Sequence, residues 1–165
     1  MNLKQQGKAV EALFSGQVIN TPSFLCIEDC LCALRWIEEI GGVAELFCRV
    51  ERNFAALDSF VAQCSWLKYA VQKPEHRSKI SVCLQLCEVF FTQLSLLEQQ
   101  EFLQQFVQFL EERGAAYDIH SYVKAPLGLR IWCGPTVETE DIRRLTHWLE
   151  YAYTCLLYTS PSPRD

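Results

Sequence analysis

The apolar positions of the chain repeat with two different periods. Ile27, Leu31, Leu34 and Ile37 recur at helical spacing, and the run stops at Gly41-Gly42. A second helix is predicted from near Val43, with Leu46/Phe47, Val50, Phe54, Leu57 and Val61 on its stripe and Glu51, Arg52 and Asp58 off it. A third is predicted over Leu97 to Arg113, with Phe102/Leu103, Phe106/Val107 and Phe109/Leu110 inward and Gly114 closing it. Thr139 can cap a fourth. Glu140 and Asp141 in its first turn suit the helix dipole, and Ile142, Leu145, Leu149 and Ala152 form its inward face. Shorter apolar runs predict strands at Trp66 to Val71, Ile80 to Leu86, Ala116 to Ile119 and Leu129 to Cys133.

The remaining stretches connect these elements. A short apolar segment over 9–14 precedes a turn at Ser15-Gly16, residues 17–20 can be extended, and Lys73 to His76 is a loop. Thr21-Pro22 reads as an N-cap followed by proline at the first helical position. The order helix, helix, strand, strand, helix, strand, strand, helix predicts an α+β fold, a short and mainly antiparallel sheet covered by helices. No internal repeat divides it.

Composition narrows the picture. The chain has 165 residues, half of them hydrophobic and 12% aromatic, which is enough to bury a core. With 15 Lys+Arg against 20 Asp+Glu the net charge is −5, so no nucleic-acid partner is expected. No apolar run reaches the roughly 18 residues of a membrane span, and the polar first residues lack a signal peptide's apolar stretch. A cytoplasmic protein without a membrane partner is expected. Nine cysteines sit at 26, 30, 32, 48, 64, 83, 87, 133 and 155, mostly inside apolar periodic segments, and are expected to be buried reduced thiols. Cys26 and Cys30 share a helix face, Cys32 points elsewhere, and no CxxC or HExxH occurs, so no metal site is expected.

Two places could carry chemistry. At Asn20-Thr21-Pro22-Ser23 a helix N-terminus offers unpaired N–H groups and a partial positive charge to an anion, with Asn20 and two hydroxyls as added ligands. An ordinary cap uses the same residues. At Gly128-Leu129-Arg130-Ile131-Trp132 an arginine interrupts an apolar strand. It either grips a carboxylate with its planar fork or lies on an edge strand with its head in water. Lys124, His120, Tyr122, Arg77 and His76 read as surface or packing residues, and nothing supplies a nucleophile. The last eleven residues, 155–165, resemble the in-frame translation of a sequencing adapter. They are expected to form a disordered tail.

Three stretches carry a family resemblance. Residues 18–29, Val-Ile-Asn-Thr-Pro-Ser-Phe-Leu-Cys-Ile-Glu-Asp, resemble the TINTPSML-C-x-ED segment of phosphoserine aminotransferases, in the branch typical of alphaproteobacteria. Arg77-Ser78 and Ser81-Val82-Cys83-Leu84 resemble its RSNTSVCL. Gly114 to Ile119, Ala125-Pro126, Gly128 to Gly134 and Thr136-Val137-Glu138 resemble its GVAYDI…APPGLRIWCGATVE. Lys79, Ile80, Phe24 and Cys30 depart from the family pattern.

The resemblance runs from about residue 3 to residue 154 and implies a class V, fold-type I enzyme using pyridoxal 5'-phosphate. Such enzymes transfer an amino group between L-glutamate and 3-phosphohydroxypyruvate in serine biosynthesis, and some act in the pyridoxine pathway. It implies that 1–22 end the large cofactor domain and that 23–154 form the C-terminal small domain, Met1 being an internal methionine or an artificial start. By resemblance, Asn20 and Thr21 reach the cofactor phosphate of the other subunit of a homodimer. Arg130 grips the substrate carboxylate, Lys124 lies near the substrate phosphate, and Glu88 to Ser95 is a loop. The lysine that holds the cofactor as a Schiff base lies upstream in the family, so no catalytic residue is assigned here and the chain alone is expected to be inactive. A non-catalytic interaction domain of the same fold, and a class V aminotransferase of other specificity, stand as alternatives.

Overall fold

The computed structural model describes residues 4–5, 8–9, 15–16, 21, 23–122 and 125–159. The chain divides into two compact units, Met1–Val43 and Ala44–Asp165. The first holds a two-stranded antiparallel ladder, β1 (Lys4–Gln5) with β2 (Lys8–Ala9), and helix α1 (Phe24–Glu39). The cap of α1 is Ser23, not the expected Thr21, and its side chain accepts from the Cys26 N–H at 3.5 Å. Cys26, Cys30 and Cys32 lie exposed on this helix, as do Ile27, Leu31 and Leu34 of its apolar stripe.

The second unit, with α2 (Gly42–Gln63) entering it, carries the core. After α2 come β3 (Leu67–Tyr69), a 3₁₀ turn at Pro74–His76, β4 (Ser81–Leu86), α3 (Val89–Gln93), α4 (Leu96–Glu112), β5 (Leu129–Trp132) and α5 (Thr139–Thr159). The sheet is antiparallel in the order β3-β4-β5, which is the expected α+β class. Strand alternation sorts its two faces. Leu67, Val82, Leu84, Leu86, Leu129 and Ile131 are buried, while Lys68, Cys83, Arg130 and Trp132 are not. The buried face meets Leu57 and Val61 of α2, Phe102, Leu103, Phe106 and Leu110 of α4, and Ile142, Leu149 and Ala152 of α5. Trp66 stacks on Tyr153 at 4.0 Å between ring centroids, and its indole N–H donates to Glu150 at 2.9 Å.

Other expectations change as well. Ala116 to Ile119 is not a strand, and Asp118 within it takes a left-handed φ of 52°, outside the extended region of a regular strand. Only His120 bridges to Leu129. Val89–Gln93 is a short helix rather than a loop, and buries Phe91. The helix α5 runs on through Cys155 to Thr159, with Leu156 packed on the core, so the expected tail does not begin at Cys155, and residues 160–165 lie outside the described residues. The thiols are mostly not buried: only Cys133 is, and Cys48 and Cys83 are exposed like the three on α1.

Asn53 was absent from the predicted stripe of α2, yet it is 1% exposed at the centre of that face. Its amide donates to the carbonyls of Gly134 and Val137, both at 3.0 Å, and its Oδ1 accepts from the Thr139 hydroxyl at 2.7 Å. Thr139 therefore serves Asn53 instead of capping α5. One turn earlier, Arg49 donates to the Pro135 carbonyl at 2.8 Å and pairs with Glu138. The two residues clamp the turn between β5 and α5. Asn53→Ala would remove the side-chain partner of the Val137 carbonyl and of the Thr139 hydroxyl, and leave the Gly134 carbonyl only the Val137 N–H at 3.4 Å. A loss of about 2–3 kcal/mol in urea unfolding of the chain is expected. A change below about 0.5 kcal/mol would mean the clamp is incidental.

Candidate functional site

Arg130 sits in β5 opposite Cys83 of β4, on the sheet face away from the core. Its side chain is nevertheless only 15% exposed. The segment before the strand covers it. Gly128 lies so close to β4 that an added Cβ would stand 2.1 Å from the Leu84 carbonyl oxygen, so only glycine fits. Ser121 N–H donates to the Gly128 carbonyl at 3.2 Å and Arg130 N–H to that of Ile119 at 2.7 Å. These bonds lay residues 118–122 beside β5. The Tyr122 ring then rests on the guanidinium, 4.5 Å from centroid to Cζ.

The guanidinium is partly satisfied inside the chain. Its Nη2 donates to Asp118 Oδ2 at 2.9 Å and to the Asp118 carbonyl at 3.3 Å. Its Nε is buried with no hydrogen-bond partner among the described residues. A cavity of about 370 Å³ opens here, lined in part by Asp118, Arg130, Trp132, Val137 and Asp141. The Trp132 indole forms one wall. It lies over Gly134, where a Cβ would stand 2.3 Å from the ring, and donates to the Thr136 hydroxyl at 3.2 Å. Because Asn53 and Arg49 hold residues 134–138, they also hold the wall. The arrangement can bind an anion of carboxylate shape at a guanidinium kept largely from water.

The other candidates fall elsewhere. Thr21 is exposed, in the first unit, just before the capped start of α1, whose first turn carries no acidic residue. A helix start of this kind offers N–H groups and a partial positive charge to an anion. Asn20 and Lys124 lie outside the described residues. The lysine side chains described are Lys68, Lys73 and Lys79, all exposed, with Lys79 paired to Glu51 at 2.8 Å. Arg77 holds its own loop, stacking 4.0 Å from the Tyr69 centroid and donating to the carbonyls of Val71 and Gln72. His76 closes the 3₁₀ turn, and His120 Nδ1 lies 2.8 Å from the Ser121 carbonyl. Among the described residues no group of His, Cys, Asp or Glu could hold a metal ion, and no helix is long and apolar enough to cross a membrane.

Sequence reasoning missed Asp118, which pairs with Arg130, and Asn53, which holds the turn after Trp132, and it set Tyr122 aside as a surface or packing residue. An acidic residue in a predicted strand and an amide on an apolar stripe were the available signals.

Comparison with known proteins bears on this arrangement. Over 151 residues the chain is 42% identical to the phosphoserine aminotransferase of Methanosarcina mazei and 43% identical to that of Methanosarcina barkeri, in each case over 92% of this chain. The chain is a relative of the phosphoserine aminotransferases. It spans 38% of the length of these curated relatives. Solved structures share the fold. A phosphoserine aminotransferase from Bacillus circulans subsp. alkalophilus superposes with a TM-score of 0.71 at 19% identity, over 87% of this chain and 36% of that one. The pyridoxal-phosphate-bound phosphoserine aminotransferase of Trichomonas vaginalis does so with a TM-score of 0.68 at 19% identity, over 84% of this chain and 36% of that one. No family model matches the chain.

Next to Trp132, the buried Cys133 thiol has an ordinary value of 9.0 that burial pushes up to about 12. Tyr69 moves the same way, first through burial and then through its 2.6 Å hydrogen bond to Asp58. Both groups fold in the neutral form, with folded values above their unfolded ones. The Cys133 contribution is therefore complete below about pH 9 and is lost as the pH climbs toward about 12, while that of Tyr69 begins to be lost only above about pH 10. The urea midpoint of the chain is expected to fall steadily above pH 9, and less steeply in Cys133→Ala. Equal slopes in the two proteins would show that Cys133 ionises freely.

Proposed function

We propose that the chain is the C-terminal part of a phosphoserine aminotransferase, a cytoplasmic homodimer that moves an amino group between L-glutamate and 3-phosphohydroxypyruvate in serine biosynthesis. The supporting observation is the 42% identity to a curated protein of that name across 92% of the chain. The guarded guanidinium of Arg130 agrees with it. Glutamate and the phosphorylated keto acid both carry an α-carboxylate, so one fixed fork can orient both. Trp132 walls this place. Lys124 neutralises the substrate phosphate. Asn20 and Thr21, with the N–H groups at the start of α1, hold the cofactor phosphate of the other subunit. Pyridoxal phosphate, when bound, supplies the electron sink for amino transfer.

In a full-length enzyme carrying this segment, Arg130→Ala is expected to lower kcat/KM for glutamate about a hundredfold, a loss of roughly 3 kcal/mol. Arg130→Lys keeps the charge but loses the fork and remains severely impaired. A fall of less than about fivefold in Arg130→Ala, about 1 kcal/mol, would make Arg130 a structural residue. The 165-residue chain by itself is expected not to turn over when mixed with pyridoxal phosphate and both substrates, because the family's cofactor-holding lysine belongs to an upstream segment. Turnover in a coupled assay would refute this.

A further inference from the structure

We propose that Asp118 is an internal carboxylate that Arg130 exchanges for the carboxylate of its ligand, so that Asp118 sets the affinity of this site. The proposal rests on the reading of Arg130 as the carboxylate-binding residue. Nε and Nη2 of a guanidinium share one edge, and a carboxylate fits that edge by accepting two parallel N–H bonds. Here Asp118 takes only Nη2, through Oδ2 at 2.9 Å and its carbonyl at 3.3 Å, and Nε is left buried without an acceptor among the described residues. A buried donor without a partner is costly. A ligand carboxylate lying along the edge would satisfy both nitrogens, which Asp118 does not.

The exchange is easy from the side of Asp118. Its carboxylate is 87% exposed, so release returns it to water, and ion pairs with one exposed partner hold weakly. Asp118 is the only non-glycine residue with positive φ among those described, and that conformation directs its carbonyl and its carboxylate at the same nitrogen. The carbonyl stays as an acceptor when the carboxylate leaves. Tyr122 remains stacked on the guanidinium and keeps its plane. While Asp118 stays charged and close, it repels an arriving anion. Removing that charge while keeping the carbonyl should therefore strengthen carboxylate binding.

The test uses the chain labelled with ¹⁵N and titrated with glutarate, following the Nε–Hε resonance of Arg130, which is assigned by its loss in Arg130→Lys. Asp118→Asn keeps the size and tolerates the left-handed backbone; its backbone amide spectrum checks the fold. The expected result is a glutarate-dependent shift in the parent chain and binding roughly three- to tenfold tighter in Asp118→Asn. The advantage should shrink with added salt, as a charge effect does. A shift in the parent with equal or weaker binding in Asp118→Asn overturns the role of Asp118 and leaves that of Arg130 standing. The absence of a shift in both proteins overturns the reading of Arg130 and this proposal with it.

Discussion

A single amide organises the half of the molecule that matters for chemistry. Asn53 arrives in the core on an otherwise apolar helix face and must find partners for two donors and an acceptor there. It finds them all in the turn from β5 to α5: the carbonyls of Gly134 and Val137 and the hydroxyl of Thr139. Such a set holds a turn in one position because any shift would strand a buried polar group. Arg49 grips the same turn from the rim of α2. The start of α5 and the placement of Trp132 over Gly134 both follow from that turn.

Upon this frame the sheet places a cation where few strands carry one. Alternation along β5 sends Leu129 and Ile131 into the core and Arg130 to the other face. Arg130 would be an ordinary exposed residue if that face were open. The chain closes it by returning beside β5 through His120 and the close approach of Gly128, and Tyr122 covers the guanidinium. A guanidinium so covered needs an anion, and Asp118 provides part of one. The pair is asymmetric, one partner buried and the other in water, and that asymmetry separates a replaceable counter-ion from a structural salt bridge.

The first unit shows a different balance. Helix α1 has a clear apolar stripe, yet Ile27, Leu31 and Leu34 are exposed. Its N-terminus is capped by Ser23, one position past a proline, with Thr21 exposed before it. The thiols show how far composition can mislead. Cysteines in apolar periodic segments are expected inside, but most here lie on helix or strand faces that this chain does not cover.

Much of the fold was legible along the chain. Helices α2 and α4 and the three strands of the sheet fell close to their predicted ranges, because each carries a long or clean apolar period. The importance of Arg130 was also legible, since a charge within an apolar strand demands an explanation. Tertiary structure alone decided the rest. Asp118 breaks a predicted strand because its left-handed backbone lets it reach Arg130, twelve residues away, and no local pattern encodes that distance. Asn53 is silent in sequence because a polar residue on a helix stripe becomes structural only when another segment, here 81 to 86 residues further on, brings acceptors and a donor to it. Periodicity reports the face each element turns inward. Which polar groups meet across those faces depends on contacts between segments far apart in the chain, and only the folded arrangement contains them.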